Sequence, residues 1–288
     1  MIYFLTFDKH TYTVNWFKEH TQFDDIQVVP YGQAPGFPFQ PGDTVIFCDI
    51  DRCNDIMLNQ LKSIHDNVSA MGCQVMNSPY KTHGRYDLLR LLAREDINSF
   101  DVYRRADLEN GAVPKLPAFL RDELDHFGPD TGLIDDRETL NKAIAENDME
   151  GLLVCEYVDV SVNGQFHKYG AFIMGDTIIP RHFFLSNRWS VKCNDTDMSE
   201  SVEKEKVYLA TNPHEMQIRE IARMAHIDFG RIDYAISEKG MQVFEINTNP
   251  TVIDPGDLKD GNPRRAITDE FIENFSTALN QILNTSYA

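Results

Sequence analysis

Cysteine is sparse and unpaired in this sequence: Cys48, Cys53, Cys73, Cys155 and Cys193 are scattered over 288 residues, with no CxxC pair. An odd, dispersed set excludes a disulfide framework and a zinc knuckle. Reduced core thiols are expected, which suits a cytoplasmic address. No apolar run reaches the roughly 18 residues of a membrane span. The opening MIYFLTFDKH has no basic segment followed by a long apolar one, so no secretory signal is expected. Positive charge is also short, with 27 Lys and Arg against 45 Asp and Glu and a net charge of −18. Such a chain repels polyphosphate backbones at long range, so nucleic acid is not an expected partner. A single bound triphosphate remains compatible, because a few local cations and backbone amides suffice to hold it.

What is present is an ordinary globular composition, 42% hydrophobic and 25% charged, enough for one large domain or two to three small ones. Short apolar runs at 2–6, 26–29 and 44–49 read as buried strands, residues 54–68 as an amphipathic helix, and Cys73–Met76 as a further strand. That alternation predicts a small, mostly parallel α/β unit over residues 1–78. A helix at 83–95, strands at DVYRR and LPAFLRDE, a loop LDHFGPDTG, a helix DDRETLNKAIAEN and a strand LLVCEYV fill 79–158. From residue 159 the pattern turns antiparallel. FHKYGAFIM and TIIPRHFF flank a Gly175–Asp176 turn, two helices lie near 201–210 and 213–226, a second hairpin spans 229–249, and a last amphipathic helix covers 265–284.

The second hairpin, FGRIDYAISEKGMQVFEINTNP, carries the chemistry. A three-residue loop with Gly240 left-handed pairs Ser237 with Met241, and so sets Asp233 opposite Glu245 and Arg231 opposite Asn247. Alternation then puts these four side chains on one face, and Ile232, Tyr234, Ile236, Phe244 and Ile246 on the core face. Two facing carboxylates repel, and a cation between them resolves the repulsion. Asp233, Glu245 and the amide oxygen of Asn247 form a hard oxygen set of the kind magnesium prefers, with positions left for phosphate oxygens. Arg231 beside them is a rigid donor fork for an oxyanion or a transferring phosphoryl group.

Gly230-Arg231-Ile232-Asp233 and Glu245-Ile246-Asn247-Thr248-Asn249-Pro250 resemble the metal-binding end of the ATP-grasp superfamily, and D-alanine–D-alanine ligases in particular. The resemblance implies an α/β (α+β) ATP-grasp fold, with a pre-domain at 1–78, a small lobe at 79–158 and a metal-bearing lobe at 159–288. It also implies Asp233, Glu245 and Asn247 as Mg ligands and Arg231 as the catalytic arginine at the acyl phosphate. Glu156, Tyr157 and Val158 fall where the family's hinge strand lines the adenine pocket, and Asp159 where an acid meets the ribose. Arg121 and Arg85 stand in the places of two phosphate-binding lysines, an exchange that keeps charge and adds a bidentate fork. Lys192 and Lys168 are further candidates for the triphosphate, the loop from His126 to Gly132 is similar to a flap over the phosphates, and Arg264 and Arg265 are candidates for a substrate carboxylate. His182 reads as a structural histidine.

The implied activity is ATP-dependent ligation of a small-molecule or peptide carboxylate to an amine (or a thiol) through an acyl phosphate, with ATP and Mg. Neither membrane nor nucleic acid takes part, and a homodimer is the expected assembly. Two other readings stay open, an ATP-grasp kinase and a nucleotide-binding protein without ligase activity. The sequence carries no motif for the acid or the amine.

Overall fold

Residues 1–196 and 198–285 are described by the structure, a computed structural model. The first layer consists of β1 (Ile2–Thr6), α1 (Tyr12–His20), β2 (Ile26–Pro30), β3 (Thr44–Phe47), α2 (Asp55–Ala70) and β4 (Gln74–Met76). Its strands make a parallel sheet in the order β2-β1-β3-β4. β1 and β3 are central and buried along their whole length, which is why they read as unbroken apolar runs. Asn54 caps α2, its side chain accepting from the Met57 amide at 3.0 Å. α1 was not anticipated: only Thr13, Val14 and Phe17 turn inward, too few over nine residues to display a helical period.

The second layer holds α3 (Arg85–Arg94), β5 (Val102–Arg104), α4 (Arg105–Glu109), β6 (Ala118–Asp122), α5 (Arg137–Glu146) and β7 (Leu152–Glu156). β7 lies between β5 and β6, antiparallel to both. The third contains β8 (Phe166–Met174), β9 (Thr177–Ser186), α6 (Met198–Thr211), α7 (Glu215–Ala225), β10 (Phe229–Ser237), β11 (Gly240–Asn247) and α8 (Arg265–Thr285). Its sheet runs β11-β10-β8-β9, antiparallel throughout.

The first and third layers share one core. Ile2, Phe4 and Phe17 meet Phe172, Phe229 and Phe275, with Phe4 edge-on to Phe229 at 5.2 Å and Phe17 to Phe275 at 5.0 Å. A buried asparagine helps to fasten the seam. Asn77, fully buried and left-handed at φ 56°, donates through Nδ2 to the carbonyls of Phe47 (3.1 Å) and Phe229 (2.7 Å). Its Oδ1 accepts from the amides of Asp228 (2.8 Å) and Phe229 (3.0 Å). Removing it leaves buried backbone groups without partners, each worth about 1–3 kcal/mol. Asn77→Ala should therefore lose about 3 kcal/mol or more in urea unfolding; a loss within about 0.5 kcal/mol would mean the seam does not depend on this residue.

The β10–β11 hairpin meets the sequence reading at its far end and departs from it near the turn. Gly240 is left-handed at φ 98° as expected, but Ser237 pairs with Gly240 and Ile236 with Met241. A β-bulge between Asp233 and Tyr234 absorbs the offset, so Tyr234 pairs with Val243 while Asp233 still faces Glu245 and Arg231 faces Asn247. The bulge corrects one assignment. Val243 takes the core place beside Ile232 and Ile246, and Phe244 turns to Leu89 and Phe100 and into the cleft. A bulge inserts one unpaired residue and re-aims its side chain.

Candidate active site

A cavity of about 160 Å³ lies between the second and third layers. Phe119, Tyr157, Trp189 and Phe244 supply aromatic surface, and Arg121 and Lys168 meet Glu245 and Asp233 there, with Lys192 also on the lining. The Trp189 ring sits 5.0 Å from Phe119 and 5.9 Å from Tyr157.

Both hairpin carboxylates are held by cations. Asp233, 2% exposed, accepts from Arg231 Nε at 2.8 Å and from Lys168 Nζ at 3.0 Å. Burial pushes its pKa up, but Arg231 and Lys168 outweigh burial and hold it below the usual carboxylate range. Glu245 Oε2 accepts from Arg85 Nη2 at 2.5 Å and lies 3.6 Å from Arg121 and 3.5 Å from the His126 ring. Burial again opposes the charge, and Arg85, His126 and Arg121 together hold the carboxyl well below its ordinary value. Arg231, for its part, is raised against burial by Asp233.

Arg85 starts α3, and its guanidinium reaches Glu245 from the helix N-terminus. It is buried and also donates to the carbonyls of Asp122 (3.2 Å), Glu123 (2.6 Å) and Asp125 (2.6 Å). It thereby ties the end of β6 and the following loop to the β10–β11 hairpin. Arg121, near the end of β6, lines the cavity, and burial lowers its pKa. Lys192 donates to the Phe127 carbonyl and lies over Gly128, where a Cβ would stand 2.6 Å from its Cε. The left-handed φ of 103° at Gly128 calls for glycine there.

Glu156, Tyr157 and Val158 all line the cavity. The carboxylate of Glu156 is engaged elsewhere, accepting from the Asp101 amide, Tyr103 Oη and the Lys115 amide at 3.1, 3.0 and 2.7 Å. Asp159 is exposed and accepts from the Ser161 amide at 2.8 Å. Asn247 Oδ1 accepts from the Asn249 amide at 2.8 Å. Arg264 lies away from the cavity in a buried pair with Glu205 and Asp257, and Arg265 pairs with Asp269 on the surface. His182 Nε2 is buried without a partner, 3.9 Å from Asp233.

Sequence reasoning gave no role to Trp189, Phe119 and Phe244, nor to the polar chain through His126. His126 Nε2 meets Asp51 at 2.6 Å, and Asp51 accepts from both the amide (2.8 Å) and the hydroxyl of Thr248. The loop after β3, the flap and the end of β11 thus meet at one carboxylate. Only the threonine following Asn247 hinted at this in sequence.

The donors suit a hard divalent ion, two carboxylates and an amide oxygen. Among the described residues no group of three or more His, Cys, Asp or Glu side chains is placed to hold a metal alone. An ion at Asp233 and Glu245 would take its remaining ligands from Asn247, water or a bound ligand.

No protein-family model and no curated protein matches the sequence. Solved structures do match. D-alanine–D-alanine ligase from Bacillus anthracis complexed with ATP aligns over 99% of this chain and 96% of its own, at 11% identity and a TM-score of 0.51. The ATP-grasp ligase PsnB, complexed with a phosphomimetic variant of its minimal precursor, Mg and ADP, aligns over 94% of this chain and 96% of its own, at 12% identity and a TM-score of 0.50. The chain has the ATP-grasp fold.

The Asp51 network sets a pH dependence. Burial raises the Asp51 carboxyl, but hydrogen bonds from His126 and Thr248 pull it down from 3.8 to about 2. A carboxyl depressed on folding adds stability that is full above its unfolded pKa of 3.8 and is lost as the pH falls through the folded one. Asp51→Asn should cost about 2 kcal/mol in urea unfolding at pH 6, with the gap to wild type closing near about pH 2. A gap independent of pH would show that the charge is not what stabilises.

Proposed function

We propose that this protein is an ATP-dependent carboxylate–amine ligase that works through an acyl phosphate. The observation that supports it is the meeting, at an aromatic-lined cavity, of two facing carboxylates with Arg85, Arg121, Arg231 and Lys168. The aromatic surface suits a purine, stacked among Phe119, Tyr157 and Trp189. The cations suit the triphosphate, with Arg121, Arg85 and Lys192 on its oxygens.

In the first step a carboxylate oxygen of the acid attacks the γ-phosphorus, the bond to the β–γ bridging oxygen breaks, and ADP leaves. Lys168 and Arg231 flank the phosphoryl group in transit and balance its charge. Asp233, Glu245 and Asn247 would hold a magnesium ion, which would supply further neutralisation of the phosphate charge. In the second step the amine attacks the acyl carbon, Arg231 faces the tetrahedral oxyanion, and inorganic phosphate departs. No side-chain nucleophile is needed. The chain supplies position and field, and the flap from His126 with the loop carrying Trp189 and Lys192 excludes water. The extents 1–78, 79–158 and 159–288 serve in this reading as pre-domain, nucleotide lobe and metal lobe.

Thermal unfolding with Mg²⁺ and the non-hydrolysable analogue AMPPNP tests the nucleotide site. Saturating ligand should raise the wild-type melting temperature by about 5 °C, and the Asp233→Ala, Glu245→Ala double variant should show no rise. Hydroxylamine with panels of carboxylic acids then traps the acyl phosphate as a hydroxamate, and Arg231→Met should lower that rate about 100-fold or more. Absence of any shift with Mg·AMPPNP, or an equal shift in the double variant, would remove this function.

A further inference from the structure

We propose that this site receives polyphosphate before it receives metal: in the absence of phosphate the chain's own cations cap the two metal-ligating carboxylates, and phosphate must draw them off. The inference rests on the function proposed above and adds an order of binding to it. Four cationic side chains, Arg85, Arg121, Arg231 and Lys168, surround two carboxylates, Asp233 and Glu245, at 2.5–3.6 Å. The surplus is positive in a protein whose net charge is −18. A free dication approaching Glu245 meets Arg85 at 2.5 Å and His126 at 3.5 Å, in a buried place where charge is poorly screened.

Phosphate oxygens invert this balance. They take hydrogen bonds from guanidinium and ammonium groups as carboxylates do, so Arg85, Arg121 and Lys168 exchange one anion for another. Asp233 and Glu245 are then free, and the added negative charge favours a metal at their oxygens. Arg85 is the decisive cap, because its other donors stay on the carbonyls of Asp122, Glu123 and Asp125. It needs to release Glu245 alone.

The probes are inorganic tripolyphosphate with EDTA, Mn²⁺ alone, and AMPPNP with and without metal, titrated into the full chain by calorimetry and, for Mn²⁺, by loss of the free-ion electron paramagnetic signal. Tripolyphosphate should bind without metal, and Mn²⁺ held on the protein, counted after subtracting a protein-free Mn²⁺–tripolyphosphate control, should bind at least about tenfold more tightly once tripolyphosphate is present. In Arg85→Met, and in Lys168→Met should the buried arginine prove necessary for folding, Mn²⁺ alone should gain affinity while metal-free tripolyphosphate loses about tenfold. Mn²⁺ binding to wild type equally well with and without polyphosphate overturns the inference. Binding of Mg·AMPPNP with no metal-free binding of either phosphate compound also overturns it, and leaves the nucleotide reading standing. Binding of tripolyphosphate with AMPPNP no tighter supports the inference and removes the ATP reading. No binding in any arm removes both.

Discussion

Two carboxylates set opposite each other on a buried hairpin cannot stand without cations, and much of the polar architecture follows from satisfying Asp233 and Glu245. β10 delivers Arg231 and β8 delivers Lys168 to the first. α3, β6 and the flap deliver Arg85, Arg121 and His126 to the second. Each cation comes from a different segment, so the hairpin gathers both lobes around one pair of oxygens. Leaving either carboxylate bare in that surrounding would cost several kcal/mol. The same demand makes the place receptive to a ligand that brings its own anions and a metal.

A second polar chain joins this centre to the first sheet. Asp49, two residues beyond β3, is left-handed at φ 59° and fully buried. It accepts from the Phe7 amide at 3.0 Å and from Asn249 Nδ2 at 2.9 Å, and it meets His10 Nδ1 at 2.8 Å. Two residues on, Asp51 takes Thr248 and His126. The loops that leave the carboxyl ends of β1 and β3 therefore touch the residues directly after Asn247. In open parallel sheets, ligands bind in the crevice beyond those strand ends. Here that crevice adjoins the proposed phosphoryl-transfer site, and strain at Asp49 is held by three partners.

Legibility in the sequence followed locality. Asp233, Glu245, Arg231 and Asn247 could be brought together because a hairpin's alternation and one glycine turn relate residues only a few positions apart. The bulge at Phe244 was invisible, since Val243 and Phe244 are both apolar and either can face the core. The strands and most helices stood out as apolar runs and amphipathic stretches, whereas α1 did not, with three buried side chains in nine. What sequence could not relate were residues distant along the chain: Trp189 against Phe119, His126 against Asp51, Arg85 against Glu245. In sequence Arg85 stood only in the place of a phosphate-binding lysine, and it is the packing of α3 against β11 that reveals its contact with Glu245.

A crystal structure of the protein with Mg²⁺ and AMPPNP tests the central claim most directly. The account predicts the base among Phe119, Tyr157 and Trp189, metal on Asp233 and Glu245, and Arg85 moved from Glu245 to phosphate oxygens. Nucleotide bound elsewhere, or bound here with Arg85 still on Glu245 and no metal at either carboxylate, would contradict it.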